Sequence, residues 1–144
     1  MVGVEIDMVL KDSLEAIKAY ENVFDLEVLE MTNFASGSNE VVFTLFGVRF
    51  HLLDENPDYQ LFAPKAGENR SMWLNVMVED IQNTFDKAVS NGFTAIQPVV
   101  KLEDFGVSNA VLSDPFGYVW MLHQMHHVVS FDERMEKFKE MGFE

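Results

Sequence analysis

Two stretches of this 144-residue chain read nearly alike, and their spacing leaves few folds open to it. Phe46-Gly47-Val48-Arg49-Phe50-His51-Leu52 returns 70 residues later as Phe116-Gly117-Tyr118-Val119-Trp120-Met121-Leu122, a Phe-Gly-x-x-aromatic-x-Leu pattern in both places. A second register agrees with the first. Asp12 and Asp80, each placed to cap a helix, stand 68 residues apart, as do the helix-face residues Ile17 and Phe85. The difference between the two spacings is a short loop adjustment. Self-similarity at a fixed spacing means one supersecondary unit used twice.

Hydrophobic periodicity identifies the unit. Val4, Ile6, Met8 and Leu10 alternate with Glu5, Asp7 and Val9, the pattern of a half-buried strand. Asp12 and Glu15 approach a capping box, and Leu14, Ile17, Tyr20, Val23 and Phe24 recur at helical spacing, so a helix is predicted over Ser13 to Phe24. Leu26 to Thr32 reads as a strand, and Glu40 to Phe46 with Val48 to Leu53 as a hairpin about Gly47. The second half repeats this order. A strand over Met72 to Val78 precedes a helix capped by Asp80 and stopped at Asn91-Gly92, and strands follow at Gln97 to Glu103, Val107 to Ser113 and from Tyr118. Asp114 and Pro115 suit the start of the last turn, and Gly117 the positive φ that closes it.

The expected fold class is therefore α+β: two tandem βαβββ modules, 1–54 and 72–124, whose curved mixed sheets form a cup with helices outside. The modules lie within a single domain spanning 1–127. A linker at 54–71, with Pro57, Pro64 and Gly67, is also a candidate lid. Residues 128–144 form a helical extension, opened by the capping box Ser130 and Glu133 and ended at Gly142. Whether the modules pair within one chain or between chains is left open at this point.

Charge and composition narrow the partners. Asp and Glu number 24 against 10 Lys and Arg, a net charge of −14 that repels nucleic acid and anionic membrane surfaces alike. No apolar run reaches membrane-spanning length, and the first residues lack the form of a secretory signal, so a soluble, cytoplasmic protein is expected. Cysteine is absent, which leaves His, Asp and Glu as the only metal-binding side chains of weight.

Two βαβββ halves with an Asp-Pro-x-Gly turn before the final strand resemble the vicinal oxygen chelate superfamily, the fold of glyoxalase I, bleomycin and fosfomycin resistance proteins and extradiol dioxygenases. The stretch from Asp114 to Leu122 and the helix text Ala16-Ile17-Lys18-Ala19-Tyr20 are most similar to its PhnB-like branch. The resemblance implies a ligand-binding cup, a homodimer, and, in metal-dependent members, ligands from the first and last strands of each half. Those positions here are Glu5, His51, Trp73 and Met121.

Carboxylate and imidazole bind divalent ions, but indole does not, and a thioether prefers softer ones. Glu5 and His51 alone would make a weak site, so no functional metal is expected; Asp7 and His123 are the residues able to complete a ligand set. Alternation places Glu5, Asp7, Arg49, His51, Trp73, Asn75, Met77, Met121 and His123 on the faces away from the helices, a mixture of charge, hydrogen-bonding groups and soft surface suited to a small-molecule pocket. His51 is the best catalytic candidate, as a general base, with a hydrogen bond to Glu5 across the cup as its alternative role. Trp73 calls for cover by a ligand, the linker or a partner chain. The reading is a metal-free small-molecule-binding homodimer. Its alternatives are a glyoxalase-type lyase, isomerase or transferase using Zn, Ni, Mn or Fe on Glu5 and His51, and a non-catalytic homodimeric interaction module.

Overall fold

The computed structural model describes residues 1–144 apart from 66, 67, 69 and 70, so part of the candidate lid lies outside the described residues. The first module runs β1 (Glu5–Leu10), α1 (Ser13–Val23), β2 (Leu26–Met31), β3 (Glu40–Leu45) and β4 (Val48–Asp54). The second runs β5 (Leu74–Met77), α2 (Ile81–Ser90), β6 (Thr94–Leu102), β7 (Val107–Ser113) and β8 (Val119–Met125), and α3 (Phe131–Glu140) follows. Each module is a four-stranded mixed sheet, in the orders β1-β4-β3-β2 and β5-β8-β7-β6. The first and last strands of each pair in parallel, and the others are antiparallel. Both halves thus have the βαβββ order expected of them.

Local chemistry explains the helix starts. Asp12 accepts the backbone N–H groups of Leu14 and Glu15, both at 3.0 Å, and Asp80 accepts that of Asn83 at 3.1 Å. The repeat extends to a less obvious pair of bonds. The carboxylate of Asp54, at the end of β4, takes the Ser13 N–H at 2.8 Å, and the amide oxygen of Gln124, in β8, takes the Ile81 N–H at 2.9 Å. The last strand of each module therefore holds the first turn of that module's helix.

The helix-bearing faces of the two sheets meet in one core. Tyr20 of α1 packs on Phe43 of its own module, with ring centroids 6.4 Å apart, and on Trp120, Phe116 and Phe93 of the other at 5.3, 5.8 and 6.4 Å. Phe50 of β4 and Trp120 of β8 stand 6.4 Å apart. At the centre lies buried Asp114, whose carboxylate accepts the Tyr20 hydroxyl at 2.5 Å, the Trp120 indole N–H at 2.9 Å, and the Phe116 and Tyr118 N–H groups at 2.9 Å. The Tyr118 hydroxyl donates to the Val9 carbonyl at 2.8 Å, a further bond between modules.

This joint bears on how the modules pair, which the sequence left open. Successive side chains of a strand point to opposite faces. Since Phe50 and Trp120 both enter the shared core, their neighbours His51 and Met121 lie on the opposite faces of their sheets, and those two faces do not meet across this joint. Tyr20, Phe43, Phe50, Phe93, Phe116 and Trp120 of the two modules pack together on the helix side.

Helix α3 rests on the second module through Phe138, 5.3 Å from Phe105, and Lys137, 3.7 Å from Asp104. Among the described residues no helix is long and apolar enough to cross a membrane.

Candidate functional site

The outer face of the first module carries a four-residue polar cluster. Parallel pairing sets Glu5 beside Arg49 and Asp7 beside His51. One carboxylate oxygen of Glu5 accepts the Arg49 Nε–H at 2.5 Å, and the other lies 3.0 Å from His51 Nδ1. The Arg49 guanidinium, together with contacts to Asp7 and His51, holds the Glu5 carboxyl down to about 2. Asp7 moves the other way, raised first by desolvation and then by its hydrogen bond to Glu5 and that neighbour's charge. Of two adjacent carboxyls, Glu5 is therefore the anion and Asp7 the one that keeps its proton longer.

His51 is oriented by this arrangement. In the tautomer that donates Nδ1–H to Glu5, Nε2 is the lone-pair atom, the form of imidazole that can ligate a metal. That atom is buried and has no hydrogen-bond partner among the described residues; Glu40 approaches it only to 3.6 Å. Glu40 belongs to β3 and was not foreseen. Its only signal was the hairpin pairing that brings β3 alongside His51.

Ligand atoms of Glu5, Asp7 and His51 lie within 4.8 Å of one another. Two carboxylates and an imidazole suit Zn, Ni, Mn or Fe by donor type, with Asp7 supplying the third ligand that Glu5 and His51 lack. The Arg49 guanidinium, bound to the same carboxylate, opposes a second positive charge there. The donors fit a divalent ion in type and spacing, and Arg49 already supplies a countercharge to one of them.

The outer face of the second module is softer. Asn75 pairs with Met121 and Met77 with His123 across β5 and β8. Trp73, just before β5, is 57% exposed, and Met77 is exposed beside it. The nine residues predicted for one pocket thus divide into two groups: Glu5, Asp7, Arg49 and His51 on one sheet, and Trp73, Asn75, Met77, Met121 and His123 on the other. These groups lie on faces turned away from each other.

Two mixed βαβββ sheets, each with polar residues on the outer face of its first and last strands, define the class. The sequence model of the Glyoxalase/Bleomycin resistance protein/Dioxygenase superfamily matches residues 4–122, and the chain belongs to that superfamily. Among solved structures it is similar to a mutant of the fosfomycin resistance protein FosX from Listeria monocytogenes, complexed with Mn(II) and 1S,2S-dihydroxypropylphosphonic acid. That match has 14% identity and a TM-score of 0.66, and covers 96% of this chain and 98% of that one. FosX from Mesorhizobium loti matches at 14% identity and TM-score 0.64 over 94% and 98% of the two chains. TioX from Micromonospora sp. ML1 matches at 18% and 0.64 over 88% and 100%. At these identities the likeness is one of fold. The comparison with curated proteins finds no match.

Proposed function

We propose that the protein binds a small organic molecule in a cup assembled by two copies of the chain. The Glu5, Asp7, Arg49 and His51 face of one copy closes on the Trp73, Asn75, Met77, Met121 and His123 face of the other. The observation that carries this reading is the opposed direction of the two faces within one chain. In support, β1 and β5 each pair on one side only, and an indole stands 57% exposed beside the second of these edges. A two-fold axis makes the contact self-complementary and yields two equal cups. In this reading Glu5 and Arg49 fix the His51 ring as part of the cup wall, and no metal is required. The Asp114–Leu122 text supports placement in the PhnB-like branch.

A metal-dependent lyase, isomerase or transferase is the second reading, favoured by the spacing of Glu5, Asp7 and His51. There the three residues would hold Zn, Ni, Mn or Fe, which as a Lewis acid would polarise a substrate oxygen. Elemental analysis of protein purified without chelator separates the two: far less than one metal per chain is expected, and one equivalent of Mn, Fe, Ni or Zn sinks the metal-free reading. Screening small molecules by thermal shift then tests binding itself. A hit whose stabilisation disappears in His51→Ala supports the cup, whereas stabilisation indifferent to that substitution removes His51 from it.

A further inference from the structure

We propose that the hollow between α3 and the outer face of the second module is a site for an amphipathic organic anion, an alkyl or aryl carboxylate whose acid group pairs with Arg134. The inference assigns a ligand class to one wall of the proposed cup, and rests on that wall being open to ligand. The wall includes α3, which lies beyond the residues matched by the family model.

The hollow encloses about 520 Å³, within the range of small-molecule pockets. Met77, Phe105, Val107, Met125 and Phe138 give it an apolar body. Its polar groups are Arg134, His123 and His127, and within the single chain no Asp or Glu among the described residues lines it. In a chain with a net charge of −14 that local balance is unusual. Arg134, like Lys11, Lys65 and Lys87, makes no ion pair among the described residues; it alone of these four lines this hollow, and it lies over the Phe131 ring, 5.7 Å from its centroid. Its guanidinium sits exposed at the mouth, where a carboxylate can pair with it while an apolar tail enters the hollow.

A second observation comes from the neighbouring strands. His123 Nδ1 and Asn109 Oδ1 are buried without hydrogen-bond partners among the described residues, and they belong to residues paired directly across β7 and β8. Buried polar atoms left unpaired are costly. His123 also lines the hollow, so a side chain with unused hydrogen-bonding capacity stands at its wall.

The hollow is also held in shape. The His126 and His127 N–H groups donate to the Gly106 carbonyl at 2.7 and 3.3 Å, and His126 Nε2 lies 2.7 Å from Ser108 Oγ. Gly106 has φ +66°, and a Cβ there would come within 2.5 Å of the His127 carbonyl oxygen, so only glycine allows this approach. The segment leading into α3 is thereby fixed to the β6–β7 turn, and the contacts of Phe138 and Lys137 fix the helix itself.

The test uses sodium octanoate as probe and 1-octanol as its uncharged counterpart, by calorimetry on the full chain with methionine-methyl and histidine-ring NMR. Octanoate should bind once per chain and move the Met77, Met125 and His123 signals. Arg134→Gln, on an exposed position that should leave the melting temperature unchanged, should weaken octanoate about tenfold, equal to about 1.4 kcal/mol, and leave octanol unaffected. Phe138→Ala should weaken both probes. Absence of octanoate binding, equal affinity for octanol, indifference to Arg134→Gln, or signals moving at His51 instead would each overturn the proposal. None of these failures touches the reading of the cup, which stands or falls on His51→Ala and the mass of the assembly.

Discussion

Tyr20 and Asp114 are 94 residues apart in sequence and share a buried hydrogen bond. Removing the hydroxyl with Tyr20→Phe leaves the carboxylate short of a donor and should lower unfolding free energy by about 1–3 kcal/mol in urea denaturation. Asp114→Ala strands the Tyr20 hydroxyl and the Trp120 indole together and should cost more, about 3–5 kcal/mol. Burial, followed by the charge and hydrogen bond of Asp114, raises the Tyr20 phenol well above its ordinary range, so it stays protonated wherever the fold survives. Glu5 offers a pH experiment at the surface. Its pKa falls on folding, so its contribution to stability is complete above 4.5 and is lost as pH drops towards about 2. A 13C titration of the Glu5 carboxyl should show this midpoint, and Arg49→Gln should move it upward; a midpoint already near 4.5 would contradict the ion pair. Tyr20 was readable as a helix-face residue, but its partner was not, because no local pattern encodes a contact across such a separation. Arg49 was likewise placed on the right face, while its hold on Glu5 depends on the parallel register of β1 and β4.

Helix ends and turns were the most legible elements. The Asp12 and Asp80 caps, the Ser130 cap and the whole of β7 stand where periodicity and turn residues put them. The start of β6 did not: it begins at Thr94, where Thr94, Ala95 and Ile96 are all exposed and show no alternation to read. The bonds from strand end to helix start also escaped notice, since Asp54 and Gln124 share no residue type. Desolvation would raise Asp54, but the N–H groups of Ser13, Asn39 and Gly37 outweigh it and hold its carboxyl below the ordinary range. The stability it confers is therefore present above that range and lost on acidification. Asp54→Ala should cost about 2 kcal/mol or more at neutral pH, and Asp54→Asn should flatten the acid limb of the stability profile. Gly117→Ala tests the turn before β8. That residue has φ +99°, and a Cβ would meet Pro64 at 2.9 Å, so a loss of about 1 kcal/mol or more is expected in thermal unfolding.

At the scale of the molecule, alternation told which side chains of a strand share a face. It did not tell which faces of the two modules would meet, because that choice lies in the fit of Tyr20, Phe50 and Trp120. The assembly proposed here has a direct measure: sedimentation equilibrium at micromolar concentration should return twice the mass of the chain, and Trp73→Ala should shift the equilibrium towards monomer. A monomer throughout would remove the cup. The Tyr20–Asp114 joint is also one-sided. Tyr20 is matched in α2 by Ala88, and the equivalent pairs Phe43 with Phe50 and Leu112 with Trp120 align Leu45 with Asp114. Fusing two copies of the first half would set a phenol against leucine, and two copies of the second would seal a carboxylate beside alanine. The halves have diverged into lock and key, and neither can any longer stand in for the other.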